Sequence, residues 1–286
     1  MPMNRPPRPA IFLCMLFLAG CALFFTGCTP VAEHQGAAKI IPGDPGAPSQ
    51  VTPREALETA RVYCTHAWQP FATNIKHGVD AAGVRVDTPD AGFHPANGRN
   101  GWWIPGEVNE GMPYKWGGFD DPSSFDAAIA AGHAGGDVSS PAKRQADNAS
   151  VSAFAAGVDC SGFVSRCLHL PVVYDSAHLV SVCVPLSTPQ ELRAGDLLCI
   201  PGLHVMLVAG WANSDRTQIY YYETGGIPDW KPGLKVSPLE KVLALGFKPL
   251  RYRGMAQEIE PSGKEVLTRA IRTTAIPIPD PVVGEP

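Results

Sequence analysis

In Asp159-Cys160-Ser161-Gly162-Phe163-Val164-Ser165-Arg166-Cys167-Leu168-His169-Leu170-Pro171, a cysteine stands at the head of a helix-like run. The pattern predicts a helix from about Cys160 to His169, stopped by Pro171 because proline has no N–H to continue the ladder. Cys160 then falls in the first turn. Backbone N–H groups without helical partners and the positive end of the helix dipole stabilise a thiolate there. A thiolate is the reactive form of a cysteine nucleophile, and the same N–H groups suit an oxyanion. A disulfide cysteine is the alternative reading. Cys167 is a poor partner for it, since seven helical residues separate the two by roughly 10 Å along the axis.

A nucleophile needs a base from another element. His204-Val205-Met206-Leu207-Val208-Ala209-Gly210 is apolar over a strand's length, and alternation puts His204, Met206 and Val208 on one face. Just upstream, Ala194-Gly195-Asp196-Leu197-Leu198 reads as a turn entering a strand, so the two form a hairpin. Of eight histidines, His204 alone begins a strongly predicted core strand. Next comes Ile219-Tyr220-Tyr221-Tyr222-Glu223, with Ile219, Tyr221 and Glu223 on one face. Paired antiparallel with the histidine strand, it brings Glu223 near His204, where a carboxylate holds the tautomer and raises the imidazole's basicity. A structural histidine and an exposed strand-end acid are the plain alternatives. Asp215 and Asp229 are weaker third groups because both sit in turns.

Outward from these segments the organisation is readable. Thr52-Pro53 looks like a helix cap with proline at the first helical position. Leu57, Ala60, Cys64 and Trp68 mark a helix over Glu55 to Trp68, in which Cys64 and His66 are core and surface residues rather than ligands. Residues 78–112 are irregular and carry Trp102-Trp103, which either line a groove or pack in the core. Residues 119–158 are rich in Ala, Gly and Asp, with helices near Ser123–Ala131 and Ala142–Phe154. Strands are expected at Asp196–Ile200, His204–Ala209, Ile219–Glu223 and Lys248–Arg253. The tail 261–286 ends in Ile-Pro-Ile-Pro-Asp-Pro and is extended. Helices first and a strand meander after them make an α+β domain.

With 286 residues, 45% hydrophobic and 17% charged, the chain is long enough for one sizeable core. Lys+Arg 23 against Asp+Glu 27 gives a net charge of −4, which argues against nucleic acid as a partner. There is neither His-Glu-x-x-His nor Cys-x-x-Cys, so no metal and no other cofactor is expected. Arg5 and Arg8 followed by an apolar run from Ala10 to Phe25 read as a secretory signal rather than a membrane span. Leu18-Ala19-Gly20-Cys21 and Phe25-Thr26-Gly27-Cys28 both resemble the lipobox of bacterial lipoproteins. The first fits the pattern better, whereas the second is followed by the polar sequence that a tether needs. An exported protein, periplasmic or on the cell surface and attached to a bacterial membrane by a lipid on Cys28 or Cys21, is the expectation; an uncleaved amino-terminal anchor is the alternative. Outside this leader five cysteines remain, Cys64, Cys160, Cys167, Cys183 and Cys199. An odd count in an exported protein flags one thiol with another task.

Four segments in order, Pro113-Tyr114-Lys115-Trp116-Gly117-Gly118, Asp159-Cys160-Ser161-Gly162-Phe163, Ala194-Gly195-Asp196-Leu197-Leu198 and His204-Val205 with Gly210, resemble the NlpC family of bacterial cysteine peptidases over roughly 111–226. The resemblance implies a papain-like fold and cleavage of peptidoglycan stem peptides next to γ-linked D-glutamate. It makes Cys160 the nucleophile, His204 the base and Glu223 the third polar group, with Tyr114 reaching the nucleophile. It also puts Asp159 and Ser161 on a substrate amine and Trp116 beside substrate. Two departures stand out. The family more often has His, Asn or Gln at the position of Glu223, and the link from the Trp-Gly-Gly motif to the cysteine is usually short, whereas here it runs about forty residues. Both ends of that insertion lie beside the cleft, so it is expected to form a cap that shapes substrate access.

The expected organisation is a signal with its lipobox over 1–27, a flexible tether over 28–52 and an N-terminal helix with an irregular cap over 53–110. An NlpC-like catalytic domain follows over 111–256, with the insertion at 119–158, and an extended tail occupies 257–286. The expected partner is a peptidoglycan peptide. A non-catalytic peptide-binding lipoprotein, and an acyltransferase or amidase on the same fold, are the other readings.

Overall fold

A computed structural model describes residues 50–96, 98–225 and 229–256. The expected signal, the two candidate lipidation cysteines Cys21 and Cys28, nearly all of the expected tether and the expected tail lie outside the described residues.

Thr52 opens the first helix, α1 (Pro53–Thr65), with a reciprocal cap. The Glu55 N–H donates to Thr52 Oγ1 at 3.2 Å and the Thr52 N–H to Glu55 Oε2 at 2.9 Å, satisfying two of the donors every helix start leaves open. The helix ends short of Trp68 because His66 turns extended and Ala67–Trp68 pairs antiparallel with Asn109–Glu110. Within 78–112, expected to be irregular, Arg85–Asp87 forms a small hairpin with His77–Val79.

Helix α2 (Pro122–Ala130) starts on an Asp121 cap. Helix α3 (Pro141–Ala146) is half the helix expected over Ala142–Phe154. Asp147 takes a left-handed φ of 49° and the chain continues as a 3-10 turn to Ser150. Helix α4 (Cys160–Cys167) also stops early. His169, at φ 54°, lets the Leu170 N–H return to the Ser165 carbonyl at 2.9 Å. The helix is therefore closed by a left-handed residue before Pro171 is reached.

Six strands, β1 (Cys183–Pro185), β2 (Leu197–Ile200), β3 (His204–Trp211), β4 (Gln218–Glu223), β5 (Gly233–Pro238) and β6 (Lys248–Tyr252), form one sheet in the order β5-β4-β3-β2-β6-β1. Every neighbouring pair is antiparallel. The four expected strands are present; β1, β5 and the short helix α5 (Leu239–Ala244) were not anticipated.

The sheet is buried on both faces, which explains why β3 is an unbroken apolar run. On one face Val205, Leu207 and Ala209 meet Phe163, Val164 and Cys167 of α4 and Ala60 of α1. On the other, Met206, Val208, Ile219 and Tyr221 meet Leu239 and Val242 of α5 and Phe247. Each Val, Leu, Ile, Phe or Met among them contributes about 1.5–3 kcal/mol when fully removed from water. The domain is α+β, with the cysteine-bearing helix packed on an antiparallel sheet. Trp103 is fully buried in the larger core, edge-on to Trp68.

Candidate active site

Three backbone contacts set the start of α4. Asp159 caps it, its Oδ1 accepting from the Gly162 N–H at 2.6 Å and from Ser161 Oγ at 2.8 Å, while Oδ2 accepts from the Gly117 N–H at 3.1 Å. The Asp159 N–H in turn donates to the Gly118 carbonyl at 3.1 Å. Gly162 is obligatory here, since a Cβ on it would overlap the Gly118 carbonyl oxygen. The two glycine-bearing motifs noted in the sequence are thus one contact, and it fixes where Cys160, the first residue of α4 and half-buried, points its side chain.

His204 is the first residue of β3 and Glu223 the last of β4. The register pairs Tyr222 with Leu207, so Glu223 lies diagonally across from His204 on the same face. His204 Nε2 donates to Glu223 Oε2 at 2.6 Å, and Lys235 Nζ from β5 donates to Glu223 Oε1 at 2.7 Å. Cys160 lines the same cleft as this imidazole and acts on its charge. Burial works to lower the His204 pKa, but Cys160 and Glu223 outweigh it and raise it to about 10. Glu223 is held below the usual carboxylate range: burial opposes this, and hydrogen bonds from His204 and Lys235 prevail.

A cleft of about 670 Å³ opens over this arrangement, lined among others by Tyr114, Trp116, Asp159, Cys160, Ser161 and His204. Tyr114 is buried, its ring 5.3 Å from Trp230. Gly225, at φ 80°, lies so close that a Cβ would come within 2.5 Å of the Tyr114 ring. Burial first, then Asp159 and Cys160, push the Tyr114 hydroxyl well above its ordinary pKa, so it stays a hydrogen-bond donor. Asp159 and Ser161 are bonded to each other, and three donors already occupy the Asp159 carboxylate. Burial pushes the Asp159 carboxyl above its ordinary value, against the hydrogen bonds from Gly162 and Ser161 and the charge of the fully buried Lys115.

The segment 119–158, expected to be an insertion, reaches the cleft through Ser139, Arg144, Asp147, Asn148 and Val151. A second pair was not anticipated: His178 Nδ1 donates to Asp175 Oδ2 at 2.8 Å, and both residues line the cleft. Lys235 was also missed, although Leu234-Lys235-Val236-Ser237 alternates as a strand should; Pro232 and Pro238 frame it and mask the signal. Trp102 and Trp103 are not among the residues lining the cleft.

The five described cysteines are all free thiols. Burial pushes Cys64, Cys183 and Cys199 up to about 12 and Cys167 well above its ordinary value. Cys160 is the one described cysteine that lines the cleft. Among the described residues no group of three or more His, Cys, Asp and Glu is placed to hold a metal ion, and no helix is long and apolar enough to cross a membrane. The chain matches no family model, no curated protein and no solved structure.

Proposed function

We propose that this chain is an exported, lipid-anchored cysteine peptidase of papain-like fold, related to the NlpC family, that hydrolyses an amide bond in peptidoglycan stem peptides next to γ-linked D-glutamate. The observation that carries this reading is Cys160, at a helix N-terminus, and His204 lining one open cleft, with Glu223 hydrogen-bonded to the His204 imidazole. An imidazolium beside a cysteine favours its thiolate, and Glu223 fixes the ring so that Nδ1 serves the sulfur.

In the reaction, Cys160 Sγ attacks the amide carbonyl carbon, and the π electrons move onto oxygen. First-turn N–H groups of α4 and the Tyr114 hydroxyl steady that oxyanion. The His204 imidazolium gives its proton to the leaving amine as the C–N bond breaks, leaving a thioester on Cys160. Neutral His204 then takes a proton from water, whose oxygen attacks the thioester. The carboxylic acid departs and the thiolate–imidazolium pair is restored. Lys235 stays outside the proton path; it keeps Glu223 ionised and aimed.

The test is mass spectrometry of cell-wall muropeptides incubated with the full-length protein in detergent, beside Cys160→Ala. New fragments are expected with the intact protein only, their masses locating the bond cut. No fragments from a folded protein would refute the peptidoglycan reading.

A further inference from the structure

Among the described residues lining the cleft, Arg144 is the one lysine or arginine. It belongs to α3, inside the insertion, and the helix under it is pinned. Lys143 Nζ donates to Asp137 Oδ2 at 2.7 Å, to the Arg85 carbonyl at 2.5 Å and to the Ser150 carbonyl at 3.2 Å. Lys143 and Asp137 are only 4% and 0% exposed, so all three ammonium protons are matched in the interior and the rotation of α3 is fixed. The neighbouring residue, Arg144, is then exposed at the cleft. Its guanidinium lies 6.0 Å from the Trp116 ring centre, and Trp116 Nε1 reaches the Asp147 carbonyl at 3.4 Å, closing the insertion onto the Tyr-Lys-Trp motif.

Arg144 meets Ser139 Oγ at 3.4 Å, and among the described residues no carboxylate stands within ion-pair distance of it. The acids of the cleft are otherwise disposed. Asp159 is held by Gly117, Ser161 and Gly162, and Asp175 by His178 and two backbone N–H groups. Asp147 stands at the left-handed turn that ends α3. Tyr114, Cys160 and Arg144 line the same cleft, so the guanidinium and the thiol face one space.

We propose that Arg144 is the carboxylate anchor of the cleft, selecting peptides with a free α-carboxylate beside the amide presented to Cys160 over the same peptides amidated there. The planar guanidinium fork matches a carboxylate with two parallel hydrogen bonds, whereas a carboxamide offers it one acceptor and no charge. This rests on the peptidase reading, and it makes the insertion the source of specificity.

Calorimetry on full-length Cys160→Ala in detergent tests it with two probes, a γ-D-glutamyl dipeptide with a free α-carboxylate and its α-carboxamide. The carboxylate is expected to bind about tenfold to a hundredfold tighter. Arg144→Gln removes that preference, and Arg144→Lys restores part of it, because lysine keeps the charge without the fork. Equal affinities, a preference that survives Arg144→Gln, or binding of neither probe would overturn the anchor. Cleavage by protein with Cys160 intact reports on the peptidase reading separately. Selective binding without cleavage leaves the anchor standing and removes the peptidase. Cleavage of both probes with equal affinity does the reverse.

Discussion

His204 faces Glu223 from β4 and Cys160 from α4, and Glu223 also faces Lys235 from β5, with Arg99 and Tyr221 in electrostatic reach. Its pKa rises from 6.5 to about 10 on folding. The imidazolium therefore binds its proton more tightly in the folded chain. The stability it contributes is complete below about 6.5 and is lost as pH climbs through about 10. The melting temperature of the intact protein is expected to fall across that window, and Glu223→Gln, which keeps an acceptor but removes the charge, to flatten the fall. Thermal melts at a series of pH values measure both; identical slopes would contradict the assignment. His204 and Glu223 were legible because strand alternation and an antiparallel pairing are local signals. Lys235 and Arg144 were not. One depends on a strand register spanning a turn, the other on the folding of an insertion with little periodicity of its own.

Among the elements, the junction of α4 with the Trp-Gly-Gly segment carries the most consequence. Gly162→Ala would drive a methyl group into the Gly118 carbonyl, whereas a Cβ on Gly233 in β5 meets nothing within 4 Å. Gly162→Ala is expected to cost about 1–3 kcal/mol as an overpacking change, and Gly233→Ala to stay within roughly 0.5 kcal/mol. Denaturant titration of the two variants checks this; equal losses would mean that the glycine contact does not set the helix. Element identity was largely readable: α1 with its Thr52 cap, α2, α4 and four of the six strands stand where periodicity and caps put them. The ends were less so. His66, Asp147 and His169 each turn the backbone at a point that proline and glycine do not mark.

Across the whole described domain, Cys160 and His204 come to one cleft because a single sheet, buried on both faces, packs against α4. Residues 139–151 then supply a second wall and its cation, Arg144. The α+β class followed from element order alone, since helices precede a strand meander. The arrangement of the cleft did not, because it depends on loops whose sequences carry no period. Of the five described thiols, Cys160 alone stands at a helix N-terminus in the cleft and is expected to be the reactive one. Site-resolved iodoacetamide labelling of the full-length protein near pH 6.5, read by mass spectrometry, tests it directly. Cys160 is expected to label about tenfold or more faster than Cys64, Cys167, Cys183 and Cys199, and to lose that lead in His204→Ala. Labelling of Cys160 no faster than the buried thiols, or a lead that survives His204→Ala, would contradict it.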